Sequence, residues 1–373
     1  MRDGKQMTTT VTGLRLKALQ ARMVETGTTL AALAPGAHMH WVLGYHPHPD
    51  ERPTYLLVGT EAAALVVPSV NAEDMRARCA LPVEAWADAD GPAAALAAAL
   101  RQVAPKGVTR VSLDETMRAD AALLLLGQVP GAAHGFATET VGALRMRKDV
   151  GEQAALKAAA RVADRAMEAG FAALRPGLTE RQVAEAIREG FTQQGTPQAF
   201  CLVAGGPNGA FPHHSTGDRV LQAGDAVVID IGGTTGGFPS DITRMAVVGH
   251  PPEGYEAVHD VVERAVQAAM AVARPGVAAQ AVDKAARDVI TAAGYGPYFV
   301  HRTGHGLGLE VHEPPYLTAT STTLLEEGMV FSIEPGIYIP GRFGIRLEEI
   351  VILRAEGPEI LSGLPRRAFV AAG

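Results

Sequence analysis

The second half of this chain repeats itself, and the repeat carries ionisable residues with it. RPGLTERQVAEAIREGFTQQG, from Arg175, aligns with RPGVAAQAVDKAARDVITAAG, from Arg274, which sets Val183 on Val282 and Gly195 on Gly294. Each copy follows a long amphipathic stretch. Further on, LQAGDAVVIDIGG from Leu221 aligns with LEEGMVFSIEPGI from Leu325, so that Asp230 falls on Glu334. The first alignment also sets His213 on His312, and each strand acid is followed by a second carboxylate, Asp241 in one copy and Glu348 in the other. Two similar lobes are predicted, each bringing a histidine and two acids.

A carboxylate inside an apolar run such as VVIDIGG or VFSIEPG loses on the order of several kcal/mol to desolvation unless something compensates it. A place at the solvent end of a strand, or pairing with arginine, would serve for any one of them. Four acids at duplicated positions point elsewhere. Asp230 precedes the glycine-rich turn GGTTGGF and Asp241 enters the next strand, so a hairpin returns the second carboxylate beside the first; Glu334 and Glu348 repeat the pattern across GIYIPGRFGIR. Four converging carboxylates do not all stay ionised without cations among them. Oxygen-rich ligation with one imidazole suits a pair of divalent ions such as manganese, cobalt or zinc. The imidazole is expected from HRTGHGLGLEVHE, starting at His301, where Gly304, Gly306 and Gly308 let backbone pass close to a site. No Gly-Lys-Ser or Gly-Lys-Thr follows GHGLG, which argues against a phosphate loop. No serine sits in a nucleophile elbow, and neither cysteine, Cys79 or Cys201, has a setting that suggests activation.

The chain of 373 residues exceeds what one core usually holds, which predicts two domains. YLLVGTEAAALVVPSV from Tyr55 reads as two short strands, GPAAALAAALRQVAPKG as a helix, and VTRVSLDETMRADAALLLLGQV from Val108 as strand then helix, together a small α/β unit. Asp149, with Glu152 three residues on, caps a helix whose face carries Leu156, Ala160, Ala163, Met167, Phe171 and Leu174. The expected division is 1–140, a linker over 141–148, and 149–373. His38, His40, His46 and His48 alternate as metal ligands can, yet HPHPDERP also reads as an exposed loop. His214 is expected to point away from His213 as a surface residue, since neighbouring strand residues face opposite sides. A net charge of −7 gives no general attraction for nucleic acid or anionic lipid. Lys5, Arg15, Lys17 and Arg22 frame no apolar run of signal-peptide length, and two distant cysteines give no disulfide framework, so a cytoplasmic location is expected.

GDAVVIDIG, SDITR, HRTGHGLGLEVHE, FSIEPGIY and GIRLEE, in this order, resemble the motifs of the pita-bread metallopeptidases, the family of methionine aminopeptidase, aminopeptidase P and prolidase. The resemblance covers roughly residues 145 to 365. The preceding 140 or so residues, with HWVLGY from His40, are similar to the creatinase and prolidase branch. The implied fold is α+β: a carboxy-terminal pita-bread domain with pseudo-twofold duplicated halves after a smaller α/β creatinase-like domain. The implied ligands are Asp230 on one metal, Asp241 and Glu348 bridging both, and His305 with Glu334 on the other. A water between the metals would be the nucleophile, with Glu334 as proton acceptor. His312 would meet the developing oxyanion, His213 the substrate near the leaving nitrogen, and His301 would line the mouth. Thr243 and Arg346 stand two residues from Asp241 and Glu348 on the same side of their strands, and Tyr338 shares that parity with Glu334; all three suit hydrogen bonds to ligands.

The two-domain branch is identified with substrates that carry proline after the scissile bond, and dimers are common in it. HRTGHGLGLEVHE is similar to short bacterial and archaeal prolidases, which implies a dipeptidase; aminopeptidase P, acting on longer peptides, is the alternative. A small-amide hydrolase and a non-catalytic binding module are further alternatives, the second weakened by the full set of ligands. Some prolidases have an arginine just after the VHE motif for the dipeptide's carboxylate, whereas this chain has PPYL from Pro314. Arg302, Arg342 or a loop of a partner subunit remains for that task.

Overall fold

The computed structural model describes residues 2–372, with side chains from residue 11 onward; Lys5 lies outside the latter. Two compact units divide at Met1–Arg145 and Met146–Gly373.

The first unit runs α1 (Arg2–Glu25), β1 (Leu30–Leu33), α2 (Ala37–Leu43), β2 (Tyr55–Gly59), β3 (Ala63–Pro68), α3 (Ser69–Arg78), β4 (Val83–Trp86), α4 (Ala93–Val103), β5 (Arg110–Leu113), α5 (Ala119–Gln128), β6 (Ala133–Phe136) and α6 (Val141–Arg145). Its strands form one mixed sheet in the order β4-β3-β2-β1-β5-β6. Leu57, Val66 and Val111 pack there against Leu96, Leu100 and Leu125 of α4 and α5. The α/β character matches expectation; the short helix α6 occupies much of the segment read as a linker. His38 stands outside HPHPDERP. It lies on α2, nine-tenths buried, accepts from Arg145 Nη1 at Nδ1 (3.0 Å) and bonds to Glu115 Oε2 through Nε2 (3.0 Å). Although Asp114 and Glu115 stand near enough to share an ion with it, protein groups already fill both ring nitrogens. His40 and His46 meet edge to face, and His48 is exposed.

The second unit contains α7 (Val150–Ala173), α8 (Glu180–Thr192), β7 (Gln198–Gly205), β8 (Ala226–Thr235), β9 (Phe238–Pro239) and β10 (Ile242–Val248), then α9 (Tyr255–Val272), α10 (Ala279–Ala292), β11 (Gly304–Gly306), β12 (Glu313–Leu317), β13 (Val330–Ile333), β14 (Gly336–Ile339), β15 (Phe343–Arg346), β16 (Glu349–Arg354), β17 (Gly357–Ile360) and β18 (Phe369–Ala371). Asp149 caps α7 through a complete capping box with Glu152. Each lobe is a helix pair followed by an antiparallel sheet: β18-β10-β8-β7 in one, β12-β11-β13-β16-β17 in the other, with β18 added parallel to β10. The duplication extends to single hydrogen bonds. Gly177 N donates to Leu221 O and Leu221 N to Leu178 O; Gly276 N donates to Leu325 O and Leu325 N to Val277 O at the equivalent places. Among the described residues no helix is long and apolar enough to cross a membrane.

Candidate active site

Asp230 sits in the middle of β8, paired across the sheet with Leu202 on one side and Thr243 on the other. The turn after β8 returns the chain so that Asp241 stands just ahead of β10, beside it. Glu334 follows β13, and the β14–β15 hairpin, with Gly336 opposite Arg346, carries the chain back to Glu348. Both predicted hairpins are present. Glu348 N donates to Thr243 O (3.3 Å) and Thr243 Oγ1 to Glu348 Oε2 (2.9 Å), so the lobes meet at their acids. Glu349 turns the other way, to Arg244 and Arg366, as the alternation of strand residues requires.

Ligand atoms of Asp230, Asp241 and Glu348 lie within 4.8 Å of one another, and so do those of His305, Glu334 and Glu348. The two sets share Glu348. His305 Nδ1 faces the Gly306 carbonyl at 3.1 Å; a carbonyl only accepts, so Nδ1 carries the proton and Nε2 the lone pair. That lone pair points at Glu334 Oε1 (3.1 Å) and Asp241 Oδ2 (3.7 Å), acceptor facing acceptor. Asp230 Oδ1 is buried without a partner. Burial, reinforced by the neighbouring carboxylates, pushes the Asp241 and Glu348 acids well above their ordinary range. Burial also acts on Glu334, but the surrounding positive groups, His305 when it carries a second proton, His301 and Arg346, together outweigh it and lower this acid to about 2. Buried, oxygen-rich donors with one oriented imidazole and an orphaned carboxylate oxygen fit divalent cations.

Arg346 supplies cationic charge from behind. It donates to Asp230 Oδ2 (2.5 Å), Thr243 Oγ1 (3.0 Å) and Tyr338 Oη (2.8 Å), and Tyr338 Oη meets His301 Nε2 at 2.8 Å. Because His301 Nδ1 bonds to the Arg302 carbonyl, Nε2 accepts and the tyrosine donates. Thr243, Arg346, Tyr338 and His301 thus form one network, reaching Glu348 through Thr243. One guanidinium does not neutralise four carboxylates.

The acids face a cavity of about 730 Å³. His213, His301, His305, His312 and Arg346 line it with them; Thr243 and Tyr338 lie behind Arg346. The His312 ring is 4.2 Å from His305, and burial, followed by the charges of His305 and Arg302, lowers its pKa to about 4. Phe200, Leu202 and Val311 provide apolar wall. Arg302 also lines the cavity, its Cζ 4.6 Å from the Tyr316 ring centroid, whereas Arg342 is turned to the Glu253 carbonyl. Cys201 is there too, its thiol pushed up to about 12 by burial.

Several expectations need correction. His213 and His214 lie in an irregular segment, so strand parity does not apply, and His214 is half-buried against Glu180 (2.9 Å) instead of standing on the surface. Gly304 and Gly306 make room for neighbouring strands: an added Cβ would come within 1.9 Å of Ser332 O and 2.3 Å of Pro314 O. Sequence reasoning missed Ser332, which accepts from His305 N and donates to Glu334 Oε1, because a lone serine in an apolar strand carries no motif.

Residues 154–355 match metallopeptidase family M24, and residues 15–147 match the creatinase/prolidase N-terminal domain. The crystal structure of dipeptidase PepE from Mycobacterium ulcerans superposes with a TM-score of 0.92 at 38% identity, covering 98% of this chain and 99% of that one. The recombinant prolidase from Thermococcus sibiricus does so with a TM-score of 0.87 at 32% identity, over 95% and 98%. The Xaa-Pro dipeptidase of Lactobacillus helveticus is 33% identical over 92% of this chain and 95% of its own. The motifs, the duplicated lobes and these likenesses agree: the chain belongs to metallopeptidase family M24, in the branch that carries a creatinase/prolidase amino-terminal domain.

Proposed function

We propose that this protein is a metal-dependent Xaa-Pro dipeptidase that holds two divalent ions, manganese, cobalt or zinc, and works as a cytoplasmic homodimer on dipeptides with proline in second position. The observation that carries the reading is the pair of overlapping donor sets sharing Glu348 at the wall of one cavity. Asp230, Asp241 and Glu348 would hold one ion, and His305, Glu334 and Glu348 the other, with Asp241 shared. Bound there, the ions would neutralise the acids, polarise the scissile carbonyl and make water acidic enough to attack near neutral pH.

The chain's own groups do the rest. Glu334, ionised at neutral pH, accepts the proton of the attacking water and delivers it to the departing proline nitrogen. His312, uncharged at that pH, donates an N–H to the oxygen that gains charge. His213 contacts the substrate beside the leaving nitrogen. A bond to proline is a tertiary amide without N–H, so recognition rests on shape, and Phe200, Leu202 and Val311 offer an apolar surface for the ring. The names of the Lactobacillus helveticus and Thermococcus sibiricus relatives support the same substrate.

A panel of Ala-Pro, Ala-Pro-Ala, Met-Ala-Ser and a free amino-acid amide, with added manganese, tests this. Release from Ala-Pro alone is expected. Cleavage of Ala-Pro-Ala at a comparable rate would favour aminopeptidase P, and cleavage of only the amide would replace the substrate class.

A further inference from the structure

The residues that follow His213 and His312 are each tied to a polar partner, and these two residues, His214, which itself borders the cavity, and Glu313, occupy equivalent places in the duplicated lobes. In the first lobe His214, next to His213, bonds through Nε2 to Glu180 Oε2 at 2.9 Å. Glu180 is fully buried at the first position of α8. Its Oε1 accepts from Gly205 N (2.9 Å) and Asn208 Nδ2 (2.8 Å), and Oε2 accepts also from Gly217 N (3.1 Å). Four donors drawn from residues 205 to 217 converge on one carboxylate. The segment carrying His213 is therefore fastened on both sides of that residue and immediately beside it.

In the second lobe, the register that sets His213 on His312 also sets His214 on Glu313. Glu313 Oε1 accepts from Lys148 Nζ at 2.8 Å, with side chains only 3% and 2% exposed. Lys148 also donates to Met146 O (3.2 Å), and Glu313 Oε2 accepts from Glu310 N (3.3 Å). Gly308 makes room for this pair: a Cβ there would stand 2.3 Å from Glu313 Oε1 and 2.8 Å from Lys148 Cε. The polarity is reversed between lobes, the acid lying on the helix in the first and at the start of β12 in the second. The repeat position of Glu180 is Ala279, so each lobe reaches the same fastening with different residues.

Stability alone does not account for two such pairs, because apolar side chains of similar volume usually serve a core as well as buried charges do. A charged, hydrogen-bonded pair adds a fixed direction. We propose that Glu180–His214 and Lys148–Glu313 are positioning pairs, which act through His213 and His312 by holding each ring at the substrate. This rests on the reading above that both rings contact substrate.

Mutant cycles in the full-length, metal-loaded protein test it. Glu313→Gln is expected to lower kcat on Ala-Pro roughly 10-fold or more with KM little changed, yet to cost less than about 2-fold when added to His312→Ala. Glu180→Gln should behave the same way toward His213→Ala. Losses that multiply undiminished in the histidine-lacking backgrounds would mean a merely structural role and overturn the proposal. Because Lys148→Met leaves a buried charge alone and risks misfolding, Lys148→Met with Glu313→Met supplies a second arm. It should regain the wild-type thermal midpoint while kcat stays low; recovery of both would also overturn the proposal. If the wild type leaves Ala-Pro intact, the Xaa-Pro reading fails by itself, and the same cycles, run on the Kd of a phosphinic dipeptide analogue, decide positioning alone.

Discussion

Asp241 has Glu348, Asp230 and Glu334 around it, and the Arg346 guanidinium eases the crowding. Without metal, the folded chain keeps protons on Asp241 and Glu348 that the unfolded chain releases above the ordinary carboxylate range. The sign follows: metal-free stability is fully present below that range and is lost as pH rises through the raised pKa values. The thermal midpoint of chelated protein should therefore fall as pH rises above the ordinary carboxylate range, and Glu348→Gln should flatten the decline. Manganese, by displacing those protons, should abolish it; a midpoint that climbs with pH in chelated wild type would contradict this charge assignment. Asp241→Ala and Glu348→Ala should each lose metal and activity together in a folded protein, read by bound-metal analysis beside circular dichroism. His312→Ala should keep its metal and lose roughly 10²-fold in turnover, as expected for one oxyanion donor; unchanged turnover would remove His312 from the mechanism.

At the scale of elements, β11 is held so close to β13 that glycine is required. An alanine at Gly304 would put its Cβ 1.9 Å from Ser332 O, on the strand that leads into Glu334. Gly304→Ala should thus cost about 1–3 kcal/mol of stability and weaken metal binding as well, because His305 and Glu334 are displaced together. Calorimetry and a metal titration on the same preparation check both. The sequence makes these elements legible wherever one residue's chemistry conflicts with its neighbours. Acids in apolar runs mark β8 and the end of β13, and parity along β10 and β15 brings Thr243 and Arg346 to the ligands. Residues that act through hydrogen bonds from an unremarkable context, Ser332, Glu180 and Lys148, stay hidden, since their partners lie far away in sequence. His214 stays hidden for a related reason: its segment is not a strand, so the alternation of strand residues says nothing about its direction. His38 shows the converse: an alternation that looks like ligation is resolved by Arg145 and Glu115.

For the molecule as a whole, duplication explains why four acids converge. Each lobe alone presents two carboxylates and a histidine, and the Thr243–Glu348 contact closes one lobe's pair onto the other's. One apolar core holds Val203, Ile229 and Ala246 of the first lobe, and another joins Ala204, Val228 and Met245 of that lobe to Val282, Phe331 and Val351 of the second, while the four acids form the polar part of the junction. Neutralisation of that junction by a pair of cations is the central claim. It is tested most directly by titrating chelated protein with manganese in a calorimeter, in two buffers of different ionisation enthalpy near neutral pH. The account predicts two ions per chain, with protons released on binding and the stoichiometry reduced in Glu348→Ala. Binding of no ion, or binding without proton release and unaltered by that substitution, would contradict it.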